Sequence, residues 1–147
     1  MTGLGNAHGL KVGDVVSKRH LFTRESIVAF AQAFGDSNPV HLDDEVAAKS
    51  RHGRLIACAA HSTGILVSLL AEHYSGISAP LGLEFEYKLR RAVHVGLDST
   101  LSWRVLARHD AAKLGGDILA LEGDLTDDAG AVYITATGRL LVTPSHT

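Results

Sequence analysis

Hydrophobic positions along the chain change period near its middle. In the first half they recur at helical spacing. From Thr23, the residues Ile27, Phe30, Ala31 and Phe34 follow i, i+3, i+4, i+7, with Thr23 as an N-cap candidate and Glu25 in the first turn. This predicts a helix that runs into Gly35. A second, shorter helix is predicted over Asp44 to Lys49. The run from about Cys58 to Tyr74 is apolar on nearly every face (Ile65, Leu66, Val67, Leu69, Leu70), as expected of a helix buried all round. In the second half the period becomes two: Leu81, Leu83, Phe85, Tyr87 and Leu89 alternate with other residues. So do Leu97, Leu101, Trp103 and Val105, then Leu119, Leu121 and Leu125, then Val132, Ile134, Ala136, Leu140 and Val142. Asp127-Asp128-Ala129-Gly130 supplies a hairpin turn between the last two.

Helices first and strands later read as α+β with an antiparallel sheet. A wholly apolar helix needs a concave sheet around it, and a sheet wrapped around one long helix is the hotdog architecture. The chain of 147 residues suits one such domain, 1–147, with the small, polar residues 1–9 expected to fray. There is no internal repeat, low-complexity segment or linker.

Composition narrows the function classes. Hydrophobic content of 46% and charge of 20% are those of a soluble globular protein. A net charge of −2, from 14 basic and 16 acidic side chains, gives no overall basic field of the kind that nucleic-acid binding shows. The start lacks a charged-then-apolar signal segment, and the most apolar stretch is interrupted by His61, Ser62, Thr63, Gly64 and Ser68, against a membrane span. The single cysteine, Cys58, rules out an internal disulfide and fits a reducing compartment, so a cytoplasmic location is expected.

Candidate chemistry concentrates where the first helix breaks, at GDSNPVHLD, residues 35–43. Pro39 lacks an N–H and pushes Asn38 out of the helical region, while Asp36, Ser37 and Asn38 favour a turn. A carboxylate before such a turn, Asp36, and an imidazole after it, His41, can converge on one point as an acid/base pair. Asp36 and Asn38 alone would be an ordinary cap and turn. His41, Asp43 and Asp44 have no further ligand pair at supporting spacing, so no metal site is expected.

The segment FAQAFGDSNPVHLDDEVAA, residues 30–48, resembles the hydratase motif of MaoC-like dehydratases, also called (R)-specific enoyl-CoA hydratases. Gly35, Asp36, Asn38, Pro39, Val40, His41, Asp43 and Ala47 match it. LKVGDVVSKRHLFTRESIVAF upstream and YKLRRAVHVG, residues 87–96, resemble the same family, so the similarity spans nearly the whole chain. The resemblance implies Asp36 and His41 as catalytic residues, with Asn38, Cys58, Ala59 and Ala60 around the substrate. It also implies a homodimer or higher assembly of dimers. The expected substrate is an acyl-CoA thioester hydrated reversibly to the (R)-3-hydroxyacyl form, with no cofactor besides the CoA that the substrate carries. Three departures stand out. Phe34 replaces the usual Ser or Thr, Cys58-Ala59 replaces His-Gly at the start of the central helix, and a proline usual near Ala92 is missing. In the family the glycine's N–H holds the thioester oxygen, and alanine keeps that N–H.

Hydration needs a base for the water, an acid for C2 and donors for the charge on the thioester oxygen. Asp36 and His41 can divide the proton work on one shared water, while the start of the central helix offers unpaired N–H groups. The roles of acid and base within the pair stay open. Cys58 at that helix start, with His61 one turn on, is also a candidate thiolate, against the commoner inert buried cysteine. Lys49, Arg51, His52 and Arg54 form a basic run that either is solvated or meets CoA phosphates. Two alternatives to hydration remain: a hotdog acyl-CoA thioesterase, and a non-catalytic subunit of a heteromeric dehydratase. The first is disfavoured because the central helix has no acid before Glu72. Retention of both Asp36 and His41 weighs against the second.

Overall fold

The computed structural model describes residues 3–145. Its strands are β1 (Val15–Leu21), β2 (Ala79–Leu89), β3 (Asp98–Ala111), β4 (Gly116–Thr126) and β5 (Val132–Thr143), and its helices are α1 (Arg24–Phe34), α2 (Asp44–Lys49) and α3 (Ala59–Ser75). All strand pairings are antiparallel, in the order β1-β3-β4-β5-β2. The α+β expectation holds, and the sheet closes on α3 as a hotdog. Inward residues of the three central strands, among them Leu101, Trp103, Leu119, Leu121, Ile134 and Val142, form one core with Leu66, Leu69, Leu70 and Tyr74 of α3. Trp103 also donates its indole N–H to the Leu66 carbonyl at 2.8 Å, fixing the helix along the sheet. Opposite Trp103 stands Gly123, where a Cβ would lie 2.6 Å from the indole. The strand gives up a side chain so that the ring can lie flat against it.

Four features differ from the sequence reading, each for a physical reason. Strand β1 was not anticipated: it buries only Val16 fully, and Ser17, Lys18 and Arg19 mask its period. Helix α3 is not buried all round, because Ala59, Ala60, Gly64, Ser68 and Ala71 are exposed along it. A helix with so many small residues reads as apolar while leaving an open stripe. In β2 the alternation breaks at a bulge between Gly82 and Glu84, so that Leu83 is the extra residue. Before the bulge, Pro80 and Gly82 are the partners of buried Val142 and Leu140, and Leu81 is turned out at 59% exposure. Finally, parts of the segment expected to fray touch the rest of the fold, although Gly3, Gly5, Asn6 and His8 are exposed. Leu4 is buried, Gly9 accepts the Tyr74 hydroxyl at 2.5 Å, and the Gly5 carbonyl lies 3.5 Å from the Arg108 guanidinium. Met1 and Thr2 lie outside the described residues.

Candidate functional site

Helix α1 ends on Gly35 in the left-handed region (φ 72°), a conformation that costs glycine little and other residues a steric penalty. The Gly35 and Asp36 N–H groups both turn back onto the last carbonyls of the helix, Asp36 onto Ala31 at 2.8 Å. Asp36 is thereby held at a helix end rather than on a free loop. Its Oδ1 accepts the Asn38 N–H at 3.1 Å, an Asx turn, and the Asn38 side chain in turn caps the short turn Pro39–His41 through the Val40 N–H. Asp43 serves as N-cap of α2, accepting from Glu45 and Val46. Asn38 and Asp43 therefore build the backbone that sets the angle between Asp36 and His41.

His41 is buried at 7% exposure, and its Nδ1 lies 2.7 Å from the Ile56 carbonyl. A carbonyl only accepts, so Nδ1 carries a proton and the neutral ring keeps its lone pair on Nε2. That Nε2 lies 3.5 Å from Asp36 Oδ2. With the ring neutral both atoms are acceptors, and a water donating to both would match them better than direct contact. Ile56 is itself clamped, since its N–H donates to Val40 and its neighbours Leu55 and Ala57 bond Val95 and Val93. The stretch Leu55–Ala57 thus ties the motif to the segment before β3. The carbonyl that orients His41 leaves no trace in a sequence. The half-buried His94, 3.4 Å from the Tyr133 hydroxyl and paired with Ile56 across this clamp, was equally unmarked by spacing.

The clamp delivers the chain directly into α3. Cys58 is the N-cap, with extended backbone and no capping bond from its thiol, and it is 1% exposed. Its carbonyl accepts from His61 and Ser62, which leaves the N–H groups of Ala59 and Ala60 without a protein acceptor among the described residues. Both alanines are exposed. An open helix start with two free donors and the positive dipole end favours developing negative charge. Lys49, the last residue of α2, and Arg51 and Arg54 on the connection to the clamp are exposed, and no salt bridge involves them among the described residues. Among the described residues there is no group of three or more His, Cys, Asp or Glu able to hold a metal ion. Among the described residues no helix is long and apolar enough to cross a membrane.

Fold and site together define a hotdog domain carrying a carboxylate–imidazole pair. The family model described as MaoC like domain matches residues 6–108, and the chain belongs to that family. It is 32% identical over 130 residues to a UPF0336 protein of Clavibacter michiganensis subsp. michiganensis, covering 84% of this chain and 85% of that one. Among solved structures it is similar to the R-hydratase PhaJ1 from Pseudomonas aeruginosa in the unliganded form, with a TM-score of 0.83, 21% identity and coverage of 92% and 84%. A MaoC-like dehydratase from Rhodospirillum rubrum superposes with a TM-score of 0.76 at 26% identity, covering 96% of this chain and 98% of that one.

Proposed function

We propose that the protein is an (R)-specific enoyl-CoA hydratase, working reversibly as a 3-hydroxyacyl-CoA dehydratase. The observation that carries the reading is the facing of Asp36 Oδ2 and His41 Nε2 at 3.5 Å. A water seated there gives one hydrogen to each acceptor and turns its lone pair outward, toward C3 of a 2-enoyl thioester. As the hydroxyl bonds to C3, the pair takes the water's proton and the negative charge moves to the thioester oxygen, where the Ala59 N–H receives it. The pair then returns a proton to C2, so the net change is addition of one water. Both proton steps pass through groups on the same side of the substrate, so addition is syn. Acid/base pairs of this kind supply about 10²–10⁴ in rate, and one oxyanion donor about 10²–10³. The likeness in fold to the R-hydratase PhaJ1 supports the stereochemical assignment.

Hydrolysis is the poorer reading. The first acid on α3 is Glu72, which pairs with Lys18 at 2.6 Å near the far end of the helix. The test follows crotonyl-CoA by loss of enoyl absorbance alongside release of free thiol. Hydration without thiol supports the proposal. Thiol release indicates a thioesterase, and neither signal indicates a non-catalytic subunit. The same reading has the protein act as a homodimer, since β2 leaves one sheet edge open with Leu81, Leu83 and Leu89 exposed.

A further inference from the structure

His61 of α3 is a buried titratable residue whose chemistry the proposed reaction leaves unused. It is fully buried, and neither Nδ1 nor Nε2 has a hydrogen-bond partner. The only other such atom among the described residues is Nε2 of His20. Buried polar atoms are nearly always paired, so two neighbouring exceptions call for a reason. The surroundings supply one. The His61 ring stacks flat on Phe30 of α1, with centroids 4.0 Å apart and planes 6° from parallel, and Phe22 meets it edge-on at 5.3 Å. Phe22 in turn stands edge-on to His20 at 4.7 Å. Phe30 directly precedes Ala31, whose carbonyl holds the N–H groups of Gly35 and Asp36. The stack therefore joins the helix that presents Asp36 to the helix that presents the Ala59 N–H.

We propose that His61 is a positioning residue: a neutral aromatic plate against which Phe30 docks, setting α1 on α3 and so Asp36 relative to the start of α3. Its catalytic consequence rests on the hydratase reading above, whereas the docking itself does not. The site holds the imidazole uncharged, because a protonated ring would be buried with both N–H groups unpartnered. Burial, reinforced by the nearby His20, pushes its pKa down to about 4. His20 is lowered too, by its own burial and by Lys18, and the two aromatic neighbours carry no charge. Docking is thus firm at neutral pH and loosens as the ring is forced to take a proton.

Hydrogen exchange on the full chain tests this independently of turnover, through the Gly35 and Asp36 amides that report the end of α1. In His61→Ala these amides should exchange at least about tenfold faster, while sheet amides such as that of Leu121 keep their protection. His61→Phe, which keeps the plate and loses the nitrogens, should hold wild-type protection at neutral pH. Between pH 6.5 and 4, the protection of these amides relative to the sheet should fall in the wild type and not in His61→Phe. If His61→Ala fails to fold, His61→Leu reads the same loss of stacking. In turnover, His61→Ala should lower kcat about tenfold or more with KM within about twofold. Unchanged exchange in the Ala and Leu variants, or loss spread evenly over the sheet, overturns the proposal. A wild type that hydrates no enoyl thioester overturns the hydratase reading alone, and the exchange result still decides the docking.

Discussion

At the scale of single residues, the proposed chemistry rests on two side chains and one backbone N–H. Asp36→Asn keeps shape and loses the carboxylate; His41→Gln keeps a polar group and loses the imidazole's proton transfer. Each should lower kcat by about 10²–10⁴ with little change in KM. The double variant should be scarcely worse than either single one, because a water held on one side only is already misplaced. Thermal melting establishes first that the variants fold, and near wild-type hydration by Asp36→Asn would reduce the motif to a turn. Ala59→Pro is a sharper probe. Ala59 is the first residue of α3 and Cys58 before it is extended (φ −66°, ψ 156°), the two conditions under which proline enters a helix without breaking it. The variant should therefore fold yet lose about 10²–10³ in kcat, while Ala59→Gly stays active. Asp36 and His41 were legible because a turn between a carboxylate and an imidazole has a local signature in Asn38 and Pro39. The Ile56 carbonyl was not, since every residue has one and only the fold selects which acts. Cys58, open to a reactive reading in the sequence, is buried among core residues.

At the scale of elements, Gly35 links stability to the site. Its φ of 72° suits glycine, so Gly35→Ala should cost about 1–2 kcal/mol in a chemical melt. The same change re-aims Asp36, so kcat should fall by more than that loss of stability explains. An Ala variant with a lowered melting temperature and full kcat would show that the turn tolerates another path. The helices and the three inner strands were readable because each presents a face to one core at a regular period over most of its length, in β3 up to the bulge between Val105 and Ala107. Where that condition fails, reading fails as well. β1 is an edge strand with a single fully buried side chain, Val16, so too few positions repeat for a period to appear. In β2 the periodicity is real on each side of the bulge, but one inserted residue exchanges the faces, and Leu81 follows a different rule from Phe85.

For the whole molecule, acid stability and assembly are the measurable consequences. The folded pKa of His61 lies near 4, below the value of 6.5 for an unburied imidazole. The unfolded chain therefore binds its proton first, and stability present above pH 6.5 is lost as pH falls toward 4. The full difference corresponds to about 3 kcal/mol, and His20 acts in the same direction. His61→Phe should flatten that slope in melts across the interval. Assembly turns on β2, which offers unpaired backbone groups along with Leu81, Leu83 and Leu89 at 59%, 41% and 52% exposure. Pro80, the bulge at Leu83 and the charges of Glu84, Glu86 and Lys88 guard part of this edge, and a second copy would cover its exposed leucines. The small exposed residues of α3, Ala60, Gly64 and Ser68, would let a neighbouring backbone approach closely. Wild-type protein should sediment as a dimer at micromolar concentration. Leu83→Glu, placing a charge at the bulge without touching the core, should shift it toward monomer and lower the melting temperature in a concentration-dependent way. A wild type that sediments as a monomer while fully active would show that the edge needs no partner and that the site is complete in one chain.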